Sequence, residues 1–126
     1  MSNGFKIAVV EDDSSIRDMY IQKLTLSGFY VQGAANGIGG LTLAERFQPD
    51  LILLDLLMPQ MSGDKMLEHL RNTDSGANMR VVVLTNISRS EAPQVLRFLN
   101  VDRYIVKAHT TPTQVVDVVK EVLHIR

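Results

Sequence analysis

The sequence contains no cysteine, which excludes both a disulfide framework and a metal site built from thiolates. It also lacks an excess of charge, because 13 basic residues stand against 14 acidic ones and the formal net charge is −1. A balance this close to zero gives no electrostatic reason to expect nucleic-acid or membrane binding. The longest apolar runs have the length of a strand, far too short to span a bilayer. We therefore predict that neither a nucleic acid nor a membrane is a partner.

The length and the first residues of the chain predict a simple organisation. A chain of 126 residues is long enough to bury one hydrophobic core and to fold as one domain. The opening residues, MSNGFK, do not have the pattern of a secretory signal peptide. These observations predict one domain over residues 1–126, located in the cytoplasm.

Short apolar runs alternate along the chain with longer amphipathic ones. Runs rich in β-branched residues predict five strands, over residues 5–10, 29–33, 50–55, 80–85 and 103–107. The stretches between and after them predict five helices, over residues 14–28, 36–47, 64–71, 90–100 and 110–125. Strands that alternate with helices favour a parallel sheet covered by helices on both faces. With right-handed crossovers, we expect a doubly wound, flavodoxin-like α/β fold with strand order 2-1-3-4-5.

Local signals at the helix ends support these assignments. Asp13 suits the N-cap of the first helix, and Gly28 suits the position just after its end. Asn100 can end the fourth helix in the left-handed conformation, and Pro93 is tolerable there because it lies in the first turn. Residues 111–114, TPTQ, combine a capping box with a proline at the first helical position, so the valine-rich stretch that follows is predicted as a helix.

Polar side chains follow four of the predicted strands at the point where each strand ends. They are Glu11 and Asp12 after the first strand, and Asp55, Thr85 and Lys107 at the ends of the third, fourth and fifth. Ligands of doubly wound sheets bind beyond the carboxyl ends of the strands, at the switch point between strands 1 and 3, so we expect these side chains to meet there. The same placement explains why a carboxylate interrupts the apolar run LILLDLLMPQ, since Asp55 is the first residue past the core.

The chemistry of this set of side chains points to phosphoryl groups. Three neighbouring carboxylates raise one another's pKa values unless cations offset their charges. Lys107 supplies one cation, and a ligand set made only of oxygens suits Mg²⁺, or alternatively Mn²⁺, as another. In such a site Asp55 would act as the nucleophile, while Lys107 and the hydroxyl of Thr85 would hold oxygens of the transferred group.

Four segments, VVEDDSSIR, LLDLLMPQMSG, VVVLT and YIVK, resemble the signature segments of response-regulator receiver domains in their order and spacing. The resemblance covers essentially the whole chain and extends to stand-alone receivers of the chemotaxis type. It implies four Mg²⁺ ligands, which are the carboxylates of Glu11, Asp12 and Asp55 and the backbone carbonyl of Leu57. It further implies that Asp55 accepts the phosphoryl group, that Lys107 contacts it, and that Thr85 and Tyr104 are the switch residues.

The same resemblance implies a signalling module of a two-component phosphorelay rather than an enzyme, although such a module catalyses its own phosphotransfer and dephosphorylation. The expected donor is a sensor histidine kinase or a phosphotransfer protein. Phosphorylation would pull Thr85 inward, let Tyr104 turn in behind it, and remodel the face formed by the fourth helix, fifth strand and fifth helix. That face would dock a downstream protein, and the chain would be a monomer or a phosphorylation-dependent dimer.

The sequence departs from the family pattern at three places. Ala108 follows Lys107 where receivers carry a proline in a cis peptide, so we expect a trans bond and a slightly displaced lysine. Asn86 stands at a position that is normally small, which could change how its loop closes. Leu57 and Ile87 are apolar at positions that tune the access of water, which predicts slow loss of the phosphoryl group.

Two other functions remain open at this point. The first is a degenerate receiver that is never phosphorylated and acts as a constitutive adaptor, because the loop at Lys107 is misplaced. The second is a small nucleotide-binding or phosphatase-like enzyme on the same sheet. The sequence GIGG over residues 37–40 weakly resembles a dinucleotide fingerprint, but Thr42 occupies the place of the third glycine.

Overall fold

A five-stranded parallel sheet lies at the centre of the molecule, whose computed structural model describes residues 2–125. The strands are β1 (Lys6–Val10), β2 (Tyr30–Ala34), β3 (Leu51–Leu54), β4 (Arg80–Thr85) and β5 (Arg103–Val106). The α-helices within the described residues are α1 (Ser14–Leu26), α2 (Gly37–Phe47), α3 (Gly63–Arg71) and α4 (Pro112–Val122). Residues 1 and 126 of the predicted domain lie outside this described part.

The strand order is β2-β1-β3-β4-β5, and all neighbouring strands are parallel, so the predicted doubly wound topology is confirmed. β1 lies between β2 and β3, and its last residue, Val10, pairs with Ala34 on one side and with Leu54 on the other. The residues that follow Val10 and Leu54 therefore leave two adjacent strands at the same level. This register brings the first acidic residues of both loops to one edge of the sheet.

Alternation of side chains along the strands divides the core into two layers. One layer packs strand residues against α1 and α4, and its members include Ile7, Val9, Leu53, Leu24 and Val119. The other packs the alternate strand residues against α2 and α3, and its members include Ala8, Val10, Leu54, Ala44 and Met66. Both faces of the sheet are therefore covered, as the apolar strands predict. Among residues 2–125, no helix combines the length and hydropathy needed to cross a membrane.

The helix ends form as the local signals predict. The Asp13 carboxylate accepts hydrogen bonds from the backbone N–H groups of Ser15 and Ile16, at 2.9 and 3.1 Å, and so caps α1. Thr111 and Gln114 form the reciprocal capping box at the start of α4. Gly28 has a φ of 99°, which favours glycine because other side chains are strained there.

The predicted fourth helix, over residues 90–100, is wrong, and the described residues therefore contain four α-helices rather than five. Two short 3₁₀ helices, Arg89–Glu91 and Gln94–Phe98, stand in its place. Pro93 is the cause, since a proline disfavours the α conformation of the residue before it, and Ala92 has an extended ψ of 146°. Pro93 is itself extended, with ψ at 130°, and separates the two turns. Asn100 does adopt the left-handed conformation expected of it, with φ at 54°.

Candidate functional site

Buried polar side chains gather at the carboxyl edge of the sheet. Within the described residues, the polar or charged side chains that are buried belong to Glu11, Asp55 and Thr85, which are 4%, 6% and 0% exposed. All three stand at or just past the end of a strand, on β1, β3 and β4. Burying such groups is costly unless they are paired, so their occurrence together identifies this edge as the candidate functional site.

Three carboxylates converge there as the sequence predicts. Glu11, Asp12 and Asp55 each offer an oxygen, and these oxygens all lie within 4.8 Å of one another. Asp12 is exposed, so one side of the cluster opens to solvent. Ligand oxygens bind Mg²⁺ at about 2.1 Å, and the ion keeps several water ligands. An oxygen-only cluster of this size with an open side fits Mg²⁺, and Mn²⁺ accepts the same ligands.

Lys107 supplies the positive charge of the site. Its ammonium group donates hydrogen bonds to Glu11 Oε1 and, at 3.1 Å, to Asp55 Oδ2. The Lys107–Ala108 peptide bond is trans, as expected, yet the side chain still reaches both carboxylates. The adaptor alternative assumed that a misplaced loop keeps this lysine away from the acids. In the structure Lys107 contacts both Glu11 and Asp55.

The remaining hydrogen bonds orient the carboxylates of Asp55 and Glu11. Asp55 Oδ1 accepts hydrogen bonds from the backbone N–H groups of Leu56, at 2.7 Å, and Leu57, at 3.4 Å. Glu11 Oε2 accepts one from the backbone N–H of Asp13 at 3.2 Å. A carboxylate held in this way needs little reorganisation before it reacts or binds a cation.

The electrostatics of the site follow from burial and from the crowding of charges. Burial raises the pKa of Glu11 above its ordinary value; the hydrogen bond from Lys107 opposes this rise, and the charge of Asp55 adds to it. Burial alone would lower the pKa of Lys107, but the hydrogen bond to Glu11 and the charge of Asp55 outweigh that effect, so its pKa is raised. Lys107 therefore stays protonated at neutral pH and offsets part of the negative charge.

Thr85 and Tyr104 meet at one residue of the loop after β4. The Thr85 hydroxyl accepts a hydrogen bond from the backbone N–H of Ile87 at 3.4 Å, and the Tyr104 hydroxyl donates to the Ile87 carbonyl at 2.7 Å. Arg89 lies over the Tyr104 ring, with 5.8 Å between its guanidinium carbon and the ring centroid, and donates to the Tyr104 carbonyl at 3.0 Å. The two residues predicted to form a switch are thus joined through the backbone of Ile87.

Three contributors to this edge carry little signal in the sequence. Arg17 donates a hydrogen bond to the Glu11 carbonyl, and Arg89 packs on Tyr104. Gly63 approaches Asp55 so closely that an added Cβ would lie 2.1 Å from the Asp55 carbonyl oxygen. Only Gly63 has a visible cue, the turn residues around it, because no pattern in the sequence marks the carbonyl that Arg17 binds or the ring on which Arg89 packs.

Residues 7–120 match the model of the response regulator receiver domain, which covers most of the chain. The chain belongs to the response regulator receiver family. Receiver domains are signalling modules of two-component systems rather than classical enzymes, and switching by phosphorylation is typical of them.

Relatives of this receiver domain include longer regulators. It is 37% identical over 84 residues to the DNA-binding dual master transcriptional regulator RpaA of Synechocystis, an overlap of 67% of this chain and 35% of that protein. It is 35% identical over 102 residues to the probable transcriptional regulatory protein SilR of Salmonella typhimurium, covering 81% of this chain and 44% of that protein. The chain thus spans less than half the length of these curated relatives.

Solved structures of receivers superpose on nearly the whole molecule. The chemotaxis protein CheY4 of Vibrio cholerae matches with a TM-score of 0.86 and 26% identity, covering 94% of this chain and 98% of that one. A CheY-like receiver domain from Methanospirillum hungatei matches with a TM-score of 0.85 and 29% identity, covering 95% and 94%. The five-stranded fold is therefore that of the family.

Proposed function

We propose that this receiver accepts a phosphoryl group on Asp55 and uses it to switch a protein-binding face. The observation that carries the proposal is the convergence of three carboxylates and one ammonium group, with Lys107 Nζ 3.1 Å from Asp55 Oδ2. An exposed carboxylate without such partners would have no means to stabilise the charge that develops during phosphoryl transfer.

The donor in this proposal is a phosphohistidine of a sensor histidine kinase or a phosphotransfer protein. An oxygen of Asp55 forms the new bond to phosphorus while the bond from phosphorus to the donor nitrogen breaks, and that nitrogen leaves with the electron pair. Lys107 holds a phosphoryl oxygen, and the amides of Leu56 and Leu57 keep the carboxylate in place. Mg²⁺, when bound by Glu11, Asp12, Asp55 and the Leu57 carbonyl, would neutralise charge on the transferred group.

The switch in this proposal runs through Ile87. A phosphoryl group on Asp55 would attract the Thr85 hydroxyl, which now accepts a hydrogen bond from Ile87, whose carbonyl binds Tyr104. Movement of the loop after β4 would then change the face formed by residues 89–98, β5 and α4. That face would dock a downstream protein, and the chain would remain a monomer or form a phosphorylation-dependent dimer.

The proposal also covers the extent of the domain, its enzymatic activity, and its location and partners. We propose that residues 1–126 act as one receiver domain, supported by the match to almost the full length of CheY4. Apart from its own phosphotransfer and dephosphorylation, we propose no enzymatic activity. The cytoplasmic location and the absence of nucleic-acid and membrane partners stay predictions from the sequence.

Intact mass after incubation with Mg²⁺ and acetyl phosphate tests the function. We expect the wild type to gain one phosphoryl group and Asp55→Asn to gain none, because an amide oxygen is a poor nucleophile. Asp74→Asn, which changes an exposed aspartate on a loop, is the matched control and should behave like the wild type. Equal labelling of the wild type and Asp55→Asn would rule out Asp55 as the acceptor.

The adaptor alternative makes a different prediction. A degenerate receiver would bind neither Mg²⁺ nor a phosphoryl group, and its partner would bind Asp55→Asn and the wild type equally well. Because Lys107 contacts both acids, we favour the proposal of a phosphorylated receiver over this alternative. Titration of the wild type, Glu11→Ala and Asp12→Ala with Mg²⁺ separates the two.

A further inference from the structure

The residue Glu11 has each of its polar atoms engaged by a different part of the fold. Its backbone N–H donates to the Ala34 carbonyl on β2 at 3.0 Å, and its two carboxylate oxygens accept hydrogen bonds from Lys107 and Asp13. Its backbone carbonyl accepts a hydrogen bond from Arg17 Nη1, on α1, at 2.8 Å. Arg17 therefore reaches back from the helix to the loop that carries the acidic pair.

The carbonyl that Arg17 binds belongs to the peptide unit joining Glu11 to Asp12. A peptide unit is planar, so a hydrogen bond that fixes its carbonyl also fixes the direction of the amide on the other side. Asp12 is exposed and is the carboxylate with the least support from the core. Its position therefore depends on how firmly this peptide is held.

Gly33 on β2 has no side chain, which leaves room for the Arg17 side chain to pass over the strand. A Cβ added at Gly33 would lie 3.1 and 3.2 Å from the Arg17 Cδ and Cγ atoms and 2.8 Å from Ile21 Cδ1. The described glycines with positive φ are Gly4 and Gly28, so Gly33 is not required by its backbone conformation. The reason for a glycine here is space, which the Ile21 side chain and the stem of Arg17 fill together.

We propose that Arg17 is a positioning residue for the carboxylates of the metal site, and that Gly33 serves as the gap through which it reaches the Glu11 carbonyl. This inference rests on the proposed function, because it assigns a role toward Mg²⁺. Groups that hydrogen-bond behind metal ligands orient them, and losing one typically lowers metal affinity about 10- to 100-fold.

The competing explanation is that Arg17 acts only through its charge, and the two explanations predict opposite signs. A nearby cation repels Mg²⁺, so if charge alone mattered, Arg17→Ala would bind Mg²⁺ more tightly than the wild type. If Arg17 positions the acidic pair, Arg17→Ala binds more weakly despite the loss of the repelling charge.

Isothermal titration with Mg²⁺ decides between them. We expect affinity to fall about tenfold in Arg17→Ala and by less in Arg17→Lys, which keeps one donor and the charge. Arg46→Ala is the matched control, because Arg46 is an exposed arginine at the end of α2, at the opposite edge of the sheet. Unchanged or increased affinity in Arg17→Ala overturns the proposal.

The role of Gly33 is tested in a double-mutant cycle. Gly33→Ala keeps the guanidinium but crowds its stem, so Mg²⁺ affinity should again fall severalfold. In the Arg17→Ala background the same change should have almost no further effect, because no stem remains to be displaced. An equal loss in both backgrounds would show that Gly33 does not act through Arg17.

A metal-free measurement separates failure of this inference from failure of the proposed function. If the wild type binds no Mg²⁺, the proposed metal site falls, and the assignment of Arg17 to metal ligands falls with it. If the wild type binds Mg²⁺ and Asp12→Ala does not, the site stands. In that case ¹⁵N relaxation of the Asp12 and Asp13 amides without metal should show new mobility in Arg17→Ala but not in Arg46→Ala. Unchanged relaxation in Arg17→Ala overturns the positioning role while leaving the site intact.

Discussion

At the scale of single residues, Asp55 shows how a carboxylate is accommodated beside an apolar core. It is 6% exposed, and it immediately follows the wholly buried strand β3. Its two oxygens are occupied by different partners, the Leu56 amide on one side and Lys107 on the other. Removing Lys107 would leave buried negative charge uncompensated, which is why we consider the lysine and the acids one functional unit.

The lifetime of the phosphoryl group is a prediction at the same scale. Leu57 is 60% exposed two residues after Asp55, and its apolar side chain offers no hydrogen bond to an attacking water. We therefore expect slow dephosphorylation of the wild type, and about tenfold faster dephosphorylation of Leu57→Asn, the effect of about 1.4 kcal/mol or one hydrogen bond. Decay of the phosphorylated mass with time measures both rates.

Leu26→Asn is the control for this comparison. Leu26 is 81% exposed at the last residue of α1, whereas the acidic loop precedes the first residue of that helix, so its substitution should leave the decay unchanged. A wild-type half-life of seconds in buffer with Mg²⁺ would contradict the prediction of a slow receiver.

At the scale of elements, Arg71 connects α3 both to the loop that directly follows it and to a loop 28 residues further along the chain. Its guanidinium donates hydrogen bonds to the carbonyls of Gly76 at 2.8 Å and Met79 at 2.7 Å, in the connection to β4. It also donates to the carbonyls of Leu99 at 2.8 Å and Asn100 at 3.1 Å, just after the second 3₁₀ helix. Burial lowers the pKa of Arg71 because it partly removes the guanidinium from water, and the hydrogen bonds to the four carbonyls offset part of that cost.

We expect Arg71→Lys to lower the free energy of unfolding by about 3 kcal/mol. A lysine carries a single ammonium group, so some of the partly buried carbonyls would lose their donor, at about 1–3 kcal/mol for each group left unsatisfied. Urea denaturation measures the change. Arg80→Lys is the control, since the exposed ion pair of Arg80 with Asp102 should contribute less than about 1 kcal/mol. Equal losses in the two variants would refute the structural role of Arg71.

The broken segment after β4 gives a second prediction at this scale. In a helix interior, proline costs about 3 kcal/mol relative to alanine. We therefore expect Pro93→Ala to let residues 89–98 form a continuous α-helix, seen as a more negative ellipticity at 222 nm. Pro112→Ala should not increase helicity, because Pro112 already occupies the first turn of α4. An unchanged spectrum of Pro93→Ala would mean that packing, and not the proline, sets the 3₁₀ conformation.

At the scale of the whole molecule, stability should depend on both Mg²⁺ and pH. A ligand that binds only the folded state raises the free energy of unfolding, by about 2.7 kcal/mol at a concentration of 100 times its Kd. Burial raises the pKa of Glu11, so the ionised side chain lowers the free energy of unfolding at neutral pH. This destabilisation is lost as the pH falls through the raised pKa. Mg²⁺ needs the ionised form.

The increase in Tm caused by Mg²⁺ should therefore be large near neutral pH and should begin to shrink, as the pH falls, at pH values above the ordinary glutamate pKa of 4.5. Thermal unfolding with and without Mg²⁺ across this range measures it. Asp12→Asn, which lacks one charged ligand, should show a much smaller increase at every pH. An increase that persists undiminished down to pH 4.5 would contradict the raised pKa.

The sequence by itself determined the sheet order, most helix ends and the location of the acidic site. Each of these follows from local signals, such as the capping residues Asp13 and Thr111, or from a general property of parallel sheets. Because all strands point the same way, residues just past β1 and β3 share one edge, and Glu11 and Asp55 meet without any knowledge of side-chain packing.

Only the tertiary structure decided the rest. The predicted fourth helix failed because the hydrophobic periodicity of residues 90–100 says nothing of the backbone forced on Ala92 by the proline after it. The contacts of Arg17 with Glu11, of Arg71 with Leu99 and of Arg89 with Tyr104 join different elements. An exposed arginine and a buried one look alike in sequence, because a guanidinium finds its partners only after the loops around it have been placed.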